Sequence, residues 1–532
     1  QPRICWQHDQ YMTGVTMSGK LLSALAAGLI FTTATLGATF NVTRTDDPLP
    51  DGCAVGDCSL REAITDANTT VTSDNINVPP GTYLIDLVGN DTLETGDLDI
   101  STDMTITGPA TLDGQMLGRI MDIRDGAQVT LSQLRIQNAD TSLATNGTLN
   151  AGAVQIDDGS LTLRDVVFVG NSSQGLGGAL YARGTATLDI ADCAFVDNRA
   201  DSGAGIFANA NVSVRNTLFS GNTALLRGAA LYLSGSDADT VLEQVSLIDN
   251  TGEGSGGGAI LFLARSLMLD GVEATGNRTL GGAGGVIGVT GTGHSKTVTI
   301  HNSWFNNNAA SDGGMISFVD DDDLLEIAHS TISNNTAEDD GGGIYLTGGT
   351  INITNTTFSG NEAIDDGGAI YNFSAAASLE HVTLTGNLAD RGNSIRVTGS
   401  SDDLQATFAN TLIDGECSIN SADNVTSLGG NLEGPGSTCE LNQPSDQASM
   451  TPSELGITPL RSNPGAAPTH ELTAASLARE AGLGPTCDAV AVDQRFQPRQ
   501  NPCSAGAVES NDLFRDGFES VRPLGSTVTV NL

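Results

Sequence analysis

A tetrapeptide closing on asparagine recurs along the middle of this chain at an interval that few folds accommodate. It reads FVGN at Phe168 to Asn171, then FVDN, FSGN, LIDN, ATGN, FNNN, ISNN, FSGN and LTGN. The closing residues are Asn171, Asn198, Asn222, Asn250, Asn277, Asn308, Asn335, Asn361 and Asn387, so eight steps cover 387 − 171 = 216 residues, or 27 per step. After each asparagine come a short loop and a glycine-rich start such as GGALYA, GAGIFA or GGAIYN, and a second segment leads to the next anchor. A unit this small has too little apolar surface to fold alone and must stack on its neighbours. Its alternating, β-branched segments read as strands, and its Gly and Asn joints as turns. Helical repeats of similar length need long 3.6-residue periodicity and little glycine, whereas this chain carries 65 Gly in 532 residues. Propeller blades of four strands take about 40 residues. Three short strands per coil fit 27. The expected fold is all-β, a right-handed parallel β-helix.

That fold assigns roles. Phe168, Phe195, Phe219, Phe305 and Phe358 should stack inside as an apolar ladder, and the anchor asparagines should form a turn ladder, bonding between coils and tolerating left-handed backbone. CSLREAITDAN (Cys58 to Asn68) reads as a short capping helix: Ser59 and Glu62 make a capping box, and Leu60, Ala63, Ile64 and Ala67 one apolar face. Such a cap protects the open end of the solenoid. Met17 to Ala38 has a basic residue, Lys20, the apolar run Leu21 to Phe31 and a small-residue end, the pattern of an export signal too short to span a bilayer. Of eight cysteines, Cys5 precedes the signal. Cys53 with Cys58, Cys417 with Cys439 and Cys487 with Cys503 read as three local disulfides of an oxidising compartment. Cys193 is left as a buried thiol. The expected organisation is an extension over 1–16, a signal over 17–38, a cap over 39–75, the β-helix over 76–410, a C-terminal cap over 411–510 and a tail over 511–532.

The paired GGA[IL] and FxxN motifs resemble the polymorphic outer-membrane protein repeats of surface autotransporters, which implies a pectin-lyase-like solenoid, surface exposure and adhesion. No translocator barrel like that family's follows the repeats. Cys58 to Ala63 resembles the CSLREA motif of exported bacterial β-helix proteins. Ser476 to Ser510 is similar to their choice-of-anchor Q region, through Cys487, Asp493-Gln494-Arg495, Pro498-Arg499, Cys503 and the final GAVE. Phe496 stands where that pattern usually has Gly. Asn511 to Ser520 resembles a short terminal sorting motif.

Charge narrows the partners. A formal net charge of −40 argues against nucleic acid, because phosphate neutralisation needs clustered Lys and Arg; the two lysines are Lys20 and Lys296. It favours solubility and divalent cations. Three readings of function follow for a monomer at the cell surface or outside the cell. The first is a non-catalytic protein binding a surface polysaccharide or a component of a neighbouring or host cell. The second is a polysaccharide lyase or hydrolase of pectate-lyase-like type, with calcium as its candidate cofactor, and the third a calcium-stabilised structural protein. The even repeats leave little room for long substrate loops, and Trp6 and Trp304 alone make no sugar-stacking platform. His329 and His381 fall two coils apart with Asn355 between them and His301 one step out, which reads as a polar corner row rather than a metal site. Asp320 to Asp323 reads as a solvated loop.

One acidic feature stands out. Four residues past Asn308, Asn335 and Asn361 lie Asp312, Asp339 and Asp365, with Asp340 and Asp366 directly following the latter two. Equivalent positions on successive coils stack about 4.8 Å apart, so these carboxylates either splay into solvent or share a hard cation such as calcium. Arg391 ends the column. No other metal, cofactor or catalytic set is expected.

Overall fold

The computed structural model describes residues 37–87, 94–143, 149–291, 293–399 and 405–510. The expected extension over 1–16, the expected signal up to residue 36 and the expected tail over 511–532 lie outside that set. The described chain winds into coils that pair in parallel, coil upon coil, into three sheets. The first sheet runs the whole length and has two arms meeting at a corner. They are single ten-residue strands in the early coils, such as Ser160–Val169, and separate strands later, such as Thr187–Ala191 and Ala194–Val196. The second sheet runs from Leu98–Ile100 to Cys417–Ile419, and the third, of shorter strands, from Arg199–Ser202 to Glu362–Ala363. This is the expected right-handed parallel β-solenoid.

Inside, Phe168, Phe195 and Phe219 stack with centroids 4.9 and 4.8 Å apart. The same row passes through Leu247 and Ala274 to Phe305, Ile332 and Phe358, all fully buried. Burying each phenyl ring contributes about 1.5–3 kcal/mol. Beside it runs the asparagine ladder. Asn198 Nδ2 donates to Asn222 Oδ1 (3.0 Å) and to the Phe168 carbonyl (3.2 Å), while its backbone N–H donates to the same Oδ1 (3.1 Å). The pattern repeats through Asn387. The amide supplies two donor hydrogens and an acceptor oxygen, and each rung of the ladder uses all three.

The left-handed backbone is not at the anchors, contrary to the sequence reading. It falls one residue earlier, at Asp197, Asp249, Asn307 and Asn334 or at glycine. The reversal is completed there, so the anchor side chain can turn inward. The corner between the two arms is also left-handed, and Asn302, His329, Asn355, His381 and Asn410 occupy it in succession. His329 and His381 thus hold the corner row expected of them, and His301 lies outside it.

At the N-terminal end the helix α1 (Leu60–Ala67) caps the coils with both capping-box bonds of Ser59 and Glu62 in place. Arg61, almost fully buried, grips Asp47 through Nε (2.6 Å) and Nη2 (2.7 Å) and donates to the Gly96 and Asp97 carbonyls. It is a structural clamp. The coils themselves reach further than 76–410: Thr39–Asn41 pairs with Asp74–Asn77, and Leu412–Asp414 with Leu432–Gly434. Cys53–Cys58, Cys417–Cys439 and Cys487–Cys503 are bonded, and Cys193 is free and buried, its thiol pushed up to about 12 by burial. The solvated-loop reading of Asp320 to Asp323 needs correction. Asp321 and Asp322 are exposed, but Asp323 is buried against the fully buried Lys296 ammonium, 3.2 Å away, with Asp320 at 2.9 Å. A charge sequestered this far from water persists only when paired.

Beyond Gly434 the chain turns back. Helix α2 (Pro452–Leu455) packs on Leu412 and Leu432 of the last coils. A strap, residues 491–510, then lies along the outer corner of the first sheet. Three threonines in one outward row are bonded to this C-terminal region: Thr331 to the Pro468 carbonyl (2.5 Å), Thr357 to Gln494 Oε1 (2.6 Å) and Thr383 to the Ala507 N–H (2.9 Å). Asp493 and Gln494 are fully buried in that seam, as is the side chain of Arg499. Phe496 adopts a φ of +62°, which costs a non-glycine residue roughly 1–2 kcal/mol. Its ring stacks on His329 at 4.6 Å, which offsets much of that cost.

Candidate functional site

The strands of the second sheet are short, with a central side chain pointing outward between two that point in. In-register pairing stacks these outward residues into a column. It carries Tyr181, Phe207 and Tyr232 on successive coils, then Leu261, Gly288 and Ser317, then Tyr345, Tyr371 and Arg396. Counting tryptophans therefore underestimated the aromatic surface. Tyr181, Phe207 and Tyr232 stack at 5.2 and 4.9 Å, and with Leu176 and Ala151 they form an outer apolar cluster in which Tyr181 and Phe207 are 7% and 9% exposed. That triplet is largely structural. In the middle, loops lie over the column: Leu261 is fully buried, and a Cβ on Gly288 would sit 2.5 Å from the Gly257 nitrogen. Tyr345 and Tyr371, stacked at 5.2 Å and nearly parallel, are more open.

Beside this pair runs the acidic column, in a register that differs from the expected one. The residue directly before each left-handed glycine is the one that stacks. Those residues are Asp312, Asp340, Asp366 and Arg391, preceding Gly313, Gly341, Gly367 and Gly392. The Asp340 N–H donates to Asp312 Oδ1 (3.4 Å) and the Asp366 N–H to Asp340 Oδ1 (3.1 Å). Asp339 and Asp365 form a separate, exposed row with Ser311. The five carboxylates are therefore not one column. Gly313 is reached five residues after its anchor, but Gly341 and Gly367 six after theirs, so counting forward from asparagine slips by one.

Charge is graded along the column. Asp366 is buried between Arg391, whose Nε is 2.7 Å from its Oδ1, and Arg396, whose Nε is 3.6 Å from its Oδ2. The expected positive end at Arg391 is present, and the second guanidinium was not anticipated. Asp340 has no such partner. Burial first, then the charges of Asp366 and Asp312, push its carboxyl up to about 6. Burial likewise raises Asp312, and burial with the Asp312 charge pushes the Tyr345 hydroxyl up to about 12. The site thus offers a half-buried proton donor, a side chain, Asp366, held by two guanidiniums, and two aromatic rings. Tyr345, Tyr371 and Arg396 were missed in sequence, although each follows the isoleucine of a glycine-led start (GGGIY, GGAIY, GNSIR). Among the described residues no group of three or more His, Cys, Asp or Glu side chains is arranged to hold a metal ion. No helix among them is long and apolar enough to cross a membrane.

The right-handed beta helix region family model matches residues 152–350, and the Chlamydia polymorphic membrane protein repeat matches residues 355–372. No curated protein matches the chain. Among solved structures it is similar to alginate lyase AlyF-OU02 in complex with G6, at 13% identity and a TM-score of 0.42, over 73% of this chain and 88% of that one. It is similar to the catalytic unit of a GH87 alpha-1,3-glucanase from Streptomyces thermodiastaticus strain HF3-3, at 14% identity and a TM-score of 0.39, over 73% and 68%. A PL6 alginate lyase in complex with a trisaccharide shares 12% identity at a TM-score of 0.39, over 82% and 92%. At these identities the likeness extends to the parallel β-helix alone.

Proposed function

We propose that this chain is an exported, surface-displayed β-helix that binds a neutral polysaccharide at the Tyr345–Tyr371 face and does not turn it over. The observation that carries the reading is the juxtaposition of an open aromatic pair with Asp312, Asp340, Asp366, Arg391 and Arg396 on neighbouring coils. Aromatic surface suits the apolar face of a sugar, and charged donors and acceptors beside it suit its hydroxyls. A net charge of −40 disfavours a polyanionic chain and nucleic acid alike. Export is supported by the pattern over Met17 to Ala38 and by three disulfides.

A second reading, a glycoside hydrolase, is favoured by Asp340. A carboxyl holding its proton to about pH 6 beside a second acidic side chain is the kind of pairing that acid-assisted cleavage of a sugar bond uses. One experiment separates the two. Purified protein is passed over neutral and acidic polysaccharides, and both retention and release of reducing ends are scored. Retention on a neutral polymer without new reducing ends supports binding. Release abolished by Asp340→Asn establishes the hydrolase. Retention that survives Tyr345→Ala together with Tyr371→Ala removes this face from either reading.

A further inference from the structure

Three of the histidines, His329, His381 and His470, lie in one place: the seam where the C-terminal region meets the solenoid. His470 reaches from the C-terminal region to the coils. Its Nδ1 sits 2.6 Å from the Thr458 carbonyl and its Nε2 2.9 Å from Ser359 Oγ. A carbonyl only accepts, so Nδ1 carries the proton and Nε2 is left to accept from the hydroxyl. His381, fully buried in the corner row, places Nε2 3.1 Å from Asn410 Nδ2 and 4.0 Å from the Cys503 sulfur. The amide orientation at Asn410 is pinned, because its Oδ1 accepts the Leu483 N–H at 2.9 Å. Its Nδ2 therefore donates, and His381 Nε2 accepts. A proton added there would set N–H against N–H. His329 stacks face to face on Phe496 at 4.6 Å. Burial in the seam favours the neutral imidazole at His329 and His470.

The charged groups around these rings give a second cation little relief. Facing His329 are Asp493, already bonded to Arg495 at 2.8 Å, and His301 of the neighbouring coil. Near His470 stand Asp414 of the solenoid, and Glu471, which lies 3.8 Å from Arg495 and 3.9 Å from Arg461. Beside His381 the seam already holds the buried Arg499 guanidinium, 3.7 Å from Glu509, with Glu380 close by. Each local carboxylate but Asp414 and Glu380 thus has an arginine of its own.

We propose that the C-terminal region is an acid-released latch: proton uptake by His329, His381 and His470 frees residues 457–510, the strap included, from the solenoid while the coils beneath stay folded. The sign follows from linkage. Burial lowers His329 and His470 below the ordinary imidazole value, so the released state binds more protons. Docking is at full strength above about pH 6.5 and is lost as pH falls toward the docked values. Each proton taken up on release changes the opening equilibrium about tenfold per pH unit within that window. Glu380 works the other way. Its carboxyl is raised by burial, so acid strengthens its contribution until it is fully protonated. Release uncovers Thr331, Thr357, Thr383 and the face of Phe496 now stacked on His329, while the asparagine ladder, with no titratable group, is untouched.

The test is hydrogen exchange on the full chain at pH 7.5 and 5.0, corrected for the intrinsic rate. Protection of amides in 491–510 should fall at least tenfold more than that of the coils between Asn171 and Asn308. In a variant carrying His329→Asn, His381→Asn and His470→Gln the extra fall should vanish. Asparagine already stands at the equivalent corner positions 302, 355 and 410, so that backbone tolerates it. Strap protection that tracks the coils, or a triple variant that keeps the slope, overturns the proposal. Should the triple variant be released at both pH values, the single His329→Asn and His470→Gln variants decide. A reduced slope in each supports the latch, and unchanged slopes refute it.

Discussion

The inner asparagine row and the outward column of the second sheet are carried by the same coils, yet one repeats a single residue and the other changes at almost every step. Inside, each amide bonds the one above and the one below, so a change at one coil leaves partners stranded on two others. Outside, a side chain answers to its immediate neighbours and to solvent, and Tyr, Phe, Leu, Gly, Ser and Arg all serve. Repetition marks what holds the solenoid together. Departure from repetition on an open face is where recognition can be written.

The largest effect should come from breaking the inner row. Asn277→Ala strands the Asn250 amide and the Leu247 carbonyl, both buried. At about 1–3 kcal/mol for each unsatisfied group, denaturant unfolding should show a loss of about 3 kcal/mol. Next comes the outer column. Tyr345→Ala removes one half of a stacked, half-open pair. It should cost about 1 kcal/mol of stability while weakening retention on the bound polysaccharide roughly tenfold (about 1.4 kcal/mol). If both substitutions cost the same stability and neither alters retention, the division between the two rows fails.

A smaller effect sharpens the outer column. The Asp340 carboxyl rises from 3.8 to about 6 on folding, so its favourable contribution is present below about pH 4 and is lost as pH rises through about 6. Asp340→Asn should therefore flatten the stability profile between those limits and stabilise the fold near pH 7 by about 1 kcal/mol after solvent screening. Parallel profiles for the two proteins would mean that Asp340 ionises as an ordinary surface carboxylate.

Much of this was legible in the chain, for a physical reason. Whatever every coil must do alike leaves a period: the FxxN anchors, the glycine-rich starts and the inward phenylalanines all announce themselves by recurrence. The cap was legible because its chemistry is local, with Ser59 and Glu62 three residues apart. Register across coils was harder. Loops of unequal length separate anchor from glycine, and only the glycine next to Asp312, Asp340 and Asp366 keeps step with the stack. The Lys296–Asp323 pair and the docking of Gln494 on Thr357, separated by 137 residues, leave no local pattern at all. Phe496 shows the limit most sharply: a bulky residue in a left-handed turn is explained only by a histidine on a distant strand corner.

The smallest expected effect concerns calcium. Had Asp312, Asp339, Asp340, Asp365 and Asp366 formed one face, a hard cation with its six to eight oxygen ligands would have had a natural seat. Instead Asp339 and Asp365 lie in an exposed row of their own, Asp366 is taken up by Arg391, and one oxygen of Asp312 and one of Asp340 each accept a backbone N–H. A cation entering there would compete with a guanidinium for Asp366 and find too few free oxygens converging on one point. Melting curves in millimolar calcium and in chelator should therefore coincide within a degree, since a ligand without affinity for the folded state shifts nothing. A rise in calcium that disappears in Asp312→Asn with Asp340→Asn would show that the column rearranges around the ion. The outer face would then owe its acidic character to holding the coils together, as the asparagine row does inside.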